Sequence, residues 1–174
     1  MESNSTQPYK FYLPNINNIT FNIVMLFLIL ASALSYGQSN VCNATLKVEN
    51  DGNIRSTPPS GTYYSLFIKN NGVAIDTYTL ASKDINATCQ NPDGTTTAEN
   101  VLINLDFIDV NKNPITTISV NPGESINFYA HVTLNPATKK EKWACTSLFV
   151  QSGNCTNYKT ETILHTYIID PSKD

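Results

Sequence analysis

Charge is scarce in this chain. Charged residues fill 14% of its 174 positions, and 11 Lys and Arg stand against 14 Asp and Glu, for a formal net charge of −3. No basic field exists to attract nucleic acid, and no acidic run marks a solvated tail. Histidine is rarer still, with His131 and His165 the two in the sequence. A Ser, Cys or Thr nucleophile needs a base held beside it and a site for the oxyanion, and no G-x-S-x-G elbow occurs. Glycosidase chemistry needs two facing carboxylates. Asp106 reads as pointing outward from a strand and Asp109 as entering a turn, so this pair does not fit. Zinc would call for a C-x-x-C pair or a histidine near the cysteines, and neither is present. Residues 109–113 (DVNKN) begin like a calcium loop, but Pro114 stands where glycine is required and Val120 where the bidentate Glu would sit. These absences lead us to expect no catalysis, no cofactor and no metal centre.

Long apolar runs are also missing, with one exception. Residues 21–34 (FNIVMLFLILASAL) are almost wholly apolar. The run is short for a membrane span and suits the apolar centre of a secretory signal peptide. Ser35 and Gly37 would occupy the −3 and −1 positions for cleavage before Gln38. The competing reading is an uncleaved N-terminal anchor over about 19–36. We therefore expect residues 1–37 to be a signal peptide or anchor and 38–174 to be one exported domain. The mature chain would carry no membrane span and would be secreted or held at the cell surface or in the periplasm.

Four cysteines, Cys42, Cys89, Cys145 and Cys155, all fall in the exported part. An even number in an oxidising compartment reads as two disulfides. Three pairings exist. The short loop favours Cys145–Cys155, which leaves Cys42–Cys89. A strand register that separates Cys145 from Cys155 would reverse the choice.

What the chain does have is Thr, Asn, Ile, Val and Tyr in the pattern of strands and turns. The clearest stretch is 115–134. ITTISV leads to NPGE and then to SINFYAHVTL, read as two strands joined by one tight type II turn with Pro122 at i+1 and Gly123 at i+2. Ile126, Phe128, Ala130, Val132 and Leu134 alternate with polar neighbours, which puts one face inward. Further strands are expected at 41–49, 62–70, 73–82, 101–109, 142–151 and 160–170. The segment between the turns at 50–53 and 58–61 reads as a polar, mobile loop, and 83–100 as a long loop or irregular hairpin. No stretch has helical period over three turns. The expected fold is all-β: an immunoglobulin-like β-sandwich of seven to eight antiparallel strands, with a jelly roll or small barrel as the alternative.

The run 64–80 (YSLFIKNNGVAIDTYTL) followed by 113–132 (NPITTISVNPGESINFYAHV) resembles bacterial extracellular immunoglobulin-like modules. These include the domains attached to exported glycosidases and the CARDB-type domains associated with cell adhesion. The matching features are the Asn70-Asn71-Gly72 turn, the Asp76-x-Tyr78-x-Leu80 strand, the Pro122-Gly123-Glu124 turn and Gln151-Ser152. The resemblance implies a non-catalytic module for adhesion, surface assembly or protein–protein contact, whose extracellular partner the sequence does not name. The alternative is a carbohydrate-binding module using exposed aromatics. For that role Trp143 and Tyr129 are the candidate ligand contacts, with Tyr63, Tyr158 and Tyr167 beside them. Trp143, the single tryptophan, would be equally natural as a core residue between the sheets.

Overall fold

The computed structural model describes residues 42–173. The expected leader at 1–37, and the boundary at 38, lie outside the described residues. Nine strands run in order: β1 Ala44–Val48, β2 Ile54–Thr57, β3 Thr62–Asn70, β4 Asp76–Asp84, β5 Asn104–Ile108, β6 Thr117–Val120, β7 Ser125–Thr133, β8 Lys142–Ser152 and β9 Lys159–Ile168. Helical structure among the described residues is limited to two 3-10 turns, Glu49–Asp51 and Thr97–Glu99.

The strands form two layers. One sheet has the order β1-β3-β7-β5, and the other β2-β9-β8-β4-β6. The first is the A-B-E-D order of an immunoglobulin-like sandwich, and β9-β8-β4 is its G-F-C order. Period-two alternation does the work of closing the layers. Tyr64, Leu66 and Ile68 of β3 and Phe128, Ala130 and Val132 of β7 meet Tyr78 and Leu80 of β4, Leu148 and Val150 of β8 and Leu164 of β9 in one buried core. Each such large apolar side chain contributes about 1.5–3 kcal/mol on leaving water. A hydroxyl crosses the gap between layers as well. Tyr64 Oη lies 2.7 Å from Thr166 Oγ1 and donates to the His165 carbonyl at 3.1 Å. Burial pushes this phenol up to about 12.

The Pro122–Gly123 bend differs from the expected hairpin. Gly123 has φ 77° and Glu124 N donates to Asn121 O at 3.1 Å, the marks of a type II turn. Yet β6 pairs with β4 in one sheet and β7 with β3 and β5 in the other. The bend carries the chain across the sandwich. Type II geometry splays the flanking strands, whereas hairpins favour the primed turns whose twist matches the sheet. Ile118 and Val120 therefore face Phe128 from the opposite layer.

A second difference concerns 50–61. The segment read as a mobile loop contains β2, which pairs in parallel with β9, so the sandwich has nine strands and they are not all antiparallel. β2 carries no apolar alternation: Ile54, Arg55 and Ser56 are exposed and Thr57 alone is buried. Its stability comes from backbone pairing, which leaves no trace in side-chain pattern. Strand starts also move. The strand expected from 73 begins at Asp76, leaving Val73 and Ile75 exposed, and that expected from 101 begins at Asn104.

The expected disulfide pairing is overturned. Cys42 joins Cys155, and Cys89 joins Cys145. Cys145 stands opposite His165 near the start of β8, while Cys155 lies beyond its far end in the β8–β9 turn. From Cys145 to Ser152 the strand spans roughly 23 Å at about 3.3 Å per residue, whereas a disulfide tolerates about 7 Å between Cα atoms. The short loop in sequence is a long distance in space.

Candidate functional site

Each disulfide marks one end of the sandwich, and among the described residues the wider opening adjoins the Cys89–Cys145 end. At the first end, Cys42–Cys155 gathers the turns after β3, β6 and β8. Asn70, 1% exposed, donates from Nδ2 to Ala74 O and Val120 O, and its Oδ1 accepts from Gly72 N. Asp76, 3% exposed, accepts from Ser152 Oγ at 2.5 Å, Gly153 N at 3.1 Å and Asn154 N at 3.2 Å. These buried polar groups are spent on holding turns. Tyr158, one of the aromatics considered for ligand contact, is spent there too. Its hydroxyl accepts from Ala44 N at 2.7 Å and donates to Ala44 O at 2.9 Å, blocking the outer edge of β1.

The other end is built by the segment between β4 and β5, which lies as a strap along β8. Ile85 N donates to Cys145 O, and Val101 N returns to Trp143 O. Asn86 pins both limbs: its Oδ1 accepts from Cys145 N at 2.8 Å and its Nδ2 donates to Val101 O at 2.9 Å. The Cys89–Cys145 bond fastens the middle. Behind it Asn91, 5% exposed, exchanges paired amide bonds with Asn100 at 2.8 and 2.9 Å.

This strap decides where Trp143 goes. The side chains of β8 alternate, with Leu148 and Val150 inward, so Trp143 projects outward. Its Nε1 donates to Asp93 Oδ2 at 2.9 Å, and its ring centroid is 5.0 Å from that of Tyr167 at a 55° tilt. The core reading of Trp143 is thereby excluded. The hydrogen bond from Trp143, and those from Thr95, hold the Asp93 carboxyl below the usual carboxylate range. Glu99 is lowered in the same way by its hydrogen bond and ion pair with Lys142. Trp143, Tyr167 and Asp93 line a pocket of about 180 Å³. A second hollow of about 580 Å³ adjoins it, reaching from Leu102 to Thr138. The two share Glu99, Asn100 and Lys142 as a common wall.

Tyr129, the other candidate contact, is on the opposite layer. The outer face of the four-stranded sheet carries Tyr63, Tyr129 and His131. Tyr63 stacks on His131 at 4.3 Å and 8°, and meets Tyr129 edge-on at 6.3 Å and 81°. Lys112 Nζ stands 5.8 Å above the Tyr63 ring. Asp106 is the cross-strand neighbour of His131. No strap covers this face among the described residues. The fold thus sorts four of the five aromatics into two pairs on opposite faces, brings His131 to one pair, and sets Tyr158 apart on β1.

His165 faces a different neighbour. Its Nδ1 is 3.5 Å from Cys145 Sγ, a sulfur already committed to a disulfide, and burial lowers its pKa. Asp109 caps its own turn, accepting from Asn111 N and Asn113 N at 2.8 Å each. Among the described residues no group of three or more metal-ligating side chains converges. The strap residues Asn91, Asp93, Glu99 and Asn100 went unnoticed in the sequence. Residues 91–94 (NPDG) are turn chemistry within the stretch read as a loop, and the partners of these side chains on β8 lie 43 to 54 positions away.

No family model matches the chain, and no curated protein matches it. Some solved structures are similar to it at low identity. A FixG-related protein from Vibrio parahaemolyticus is 13% identical, with 73% of this chain covering 95% of that one at a TM-score of 0.46. A family 123 glycoside hydrolase from Clostridium perfringens is 8% identical, with 74% of this chain covering 27% of that one at 0.49. Self-complemented MyfA, the major subunit of Myf fimbriae from Yersinia enterocolitica, is 9% identical, with 74% covering 99% at 0.39. Each is a likeness of fold alone. The structure is an immunoglobulin-like β-sandwich with two disulfides.

Proposed function

We propose that this domain is a non-catalytic contact module on the exported side of its cell, holding a protein partner on the open face of its four-stranded sheet. The observation that carries the reading is the Tyr63–His131–Tyr129 group. It places large amphipathic rings on the outer face of that sheet, with Tyr63 at 40% exposure and Tyr129 and His131 half-buried. Rings of this kind supply much contact area at low side-chain entropy, and interfaces are enriched in them. Lys112 and Asp106 flank the rings with both signs of charge, which suits a polar rim. Two disulfides belong with an oxidising compartment and support export. The reading without catalysis is supported by the placement of both histidines, one stacked flat on a tyrosine and the other against a disulfide sulfur.

The test uses fluorescently labelled domain added to the producing cells. Retention is expected on intact cells and not on cells stripped with protease. Tyr63→Ser with His131→Ala should lower retention about tenfold, the loss of roughly 1.4 kcal/mol of binding. Equal retention of this double variant, or retention on stripped cells, would remove the proposal.

A further inference from the structure

The strap end carries an inference beyond the contact reading, and it stands on the opposite side of the molecule. We propose that the Trp143 pocket and the hollow beside it form one groove for a short, neutral saccharide chain, with the indole as its stacking platform.

Three features of the groove select that chemistry. The first is the mixture of surfaces. An aromatic pair, Trp143 and Tyr167, forms one wall, and amide, hydroxyl and charged groups form the rest. A sugar ring has one apolar C–H face and a rim of hydroxyls that both donate and accept, so it needs both kinds of wall at once. Small-molecule sites are built from such walls with a few placed polar groups. The Trp143 N–H is held by Asp93, which leaves the face of the indole as its binding surface.

The second feature is the way charge is held in the aromatic pocket. Glu99 is paired with Lys142, and Glu141 with Lys173. Asp93 is held by neutral donors, Trp143 and Thr95. In the aromatic pocket an anionic ligand would meet the Asp93 carboxylate and an organic cation the Lys142 ammonium, while Lys139 stands exposed on the larger hollow. A neutral ligand with hydroxyls loses nothing to either.

The third is shape and rigidity. The two hollows, about 180 and 580 Å³, meet across the Glu99–Lys142 pair. A chain with one residue on the indole continues naturally into the larger space. The strap that forms the wall is fixed by Cys89–Cys145, by the Asn91–Asn100 amide pair and by Asn86. A wall fixed in advance lowers the ordering cost of binding.

Trp143 is also the chain's single tryptophan, so its emission reports on the groove directly. Purified, oxidised domain is titrated with soluble laminarin, mannan, xylan, dextran and starch, followed by Trp emission and by retardation in gels containing each glycan. At least one glycan should retard the protein and shift the emission. Trp143→Ala should weaken retardation by about tenfold or more, as should the milder pair Glu99→Gln with Lys142→Met, which leaves the indole in place. Circular dichroism confirms that each variant folds. The double variant Tyr63→Ser with His131→Ala should bind glycan as the parent does. The proposal fails if none of the five glycans acts, if Trp143→Ala and the milder pair both bind normally, or if choline chloride shifts the emission while every glycan leaves it unchanged. The double variant loses cell retention while keeping glycan binding only if both proposals hold, so the two can fail separately.

Discussion

The two ends of this sandwich use the same crosslink for different work. At one end Cys42–Cys155 spans 113 positions and draws the first strand onto the β8–β9 turn. Around it lie short turns held by two buried side chains, Asn70 and Asp76, which bond several groups each. At the other end Cys89–Cys145 spans 56 positions and presses an irregular strap onto a finished sheet. There the polar groups make hydrogen bonds and still leave open space between them. The first end is a closure, and the second is a wall. An end that spends its polar groups internally has none left for a ligand, so binding chemistry gathers where the strap lies.

The sharpest way to break this comparison is to remove each disulfide in turn. Loop-closure entropy gives roughly 4 to 5 kcal/mol for crosslinks of these spans, with typical measured effects of about 2–4. Replacing Cys42 and Cys155 by Ser should produce the larger loss, a fall in the whole unfolding transition by about 4 kcal/mol, because β1 loses its tether. Replacing Cys89 and Cys145 should cost less in global denaturant unfolding, since the strap can loosen while the sheets stay packed. Hydrogen exchange should then rise between residues 85 and 103 and stay low in β3, β7 and β8. Uniform exchange across the domain in the second variant would show that the strap is part of the core after all.

Next in size is the polar knot of the closed end. Asp76→Ala removes three hydrogen bonds to a buried carboxylate and leaves the Ser152 hydroxyl without its acceptor. A loss of about 3 kcal/mol is expected, measured by urea unfolding, with glycan binding at the far end unchanged in the folded fraction. A cost under about 0.5 kcal/mol, the size of an ordinary surface change, would contradict the reading of this end as a closure.

The smallest effect separates the ends by pH. His165 is partly buried beside Cys145, and burial lowers its pKa below the ordinary value of about 6.5. The unfolded chain therefore binds this proton more readily than the folded one. Stability from this group is present above about pH 6.5 and is lost as the pH falls through the lowered folded value. His165→Asn should flatten the fall in melting temperature between neutral and mildly acidic pH while leaving the carboxylate transition at lower pH in place. An unchanged slope would show that the ring is solvated.

Much of the layering was legible in residue order. Tyr64, Leu66 and Ile68, or Phe128, Ala130 and Val132, alternate with polar neighbours, and a half-buried strand has no other way to satisfy both its faces. The Pro122–Gly123 turn type was legible too, from φ preferences alone. Its destination was not, since a turn fixes the local bend and the pairing partner is chosen by which layer needs the apolar face. β2 was invisible because parallel backbone pairing on an exposed edge asks nothing of its side chains except at Thr57. Of the two sequence-level contact candidates, Trp143 and Tyr129 were each visible as aromatics on strands. Their separation onto opposite faces followed from the crossing at Gly123, which no local pattern encodes.

By itself the sequence determined a half-buried β chain with even cysteines and few charges, because alternation, turn propensity and composition act over a few residues at a time. Only the tertiary structure decided which cysteines meet, which sheet each strand joins and which side chains wall the groove. Those outcomes depend on strand register, and register is a choice among distant partners that becomes determinate when the two layers close on a shared core.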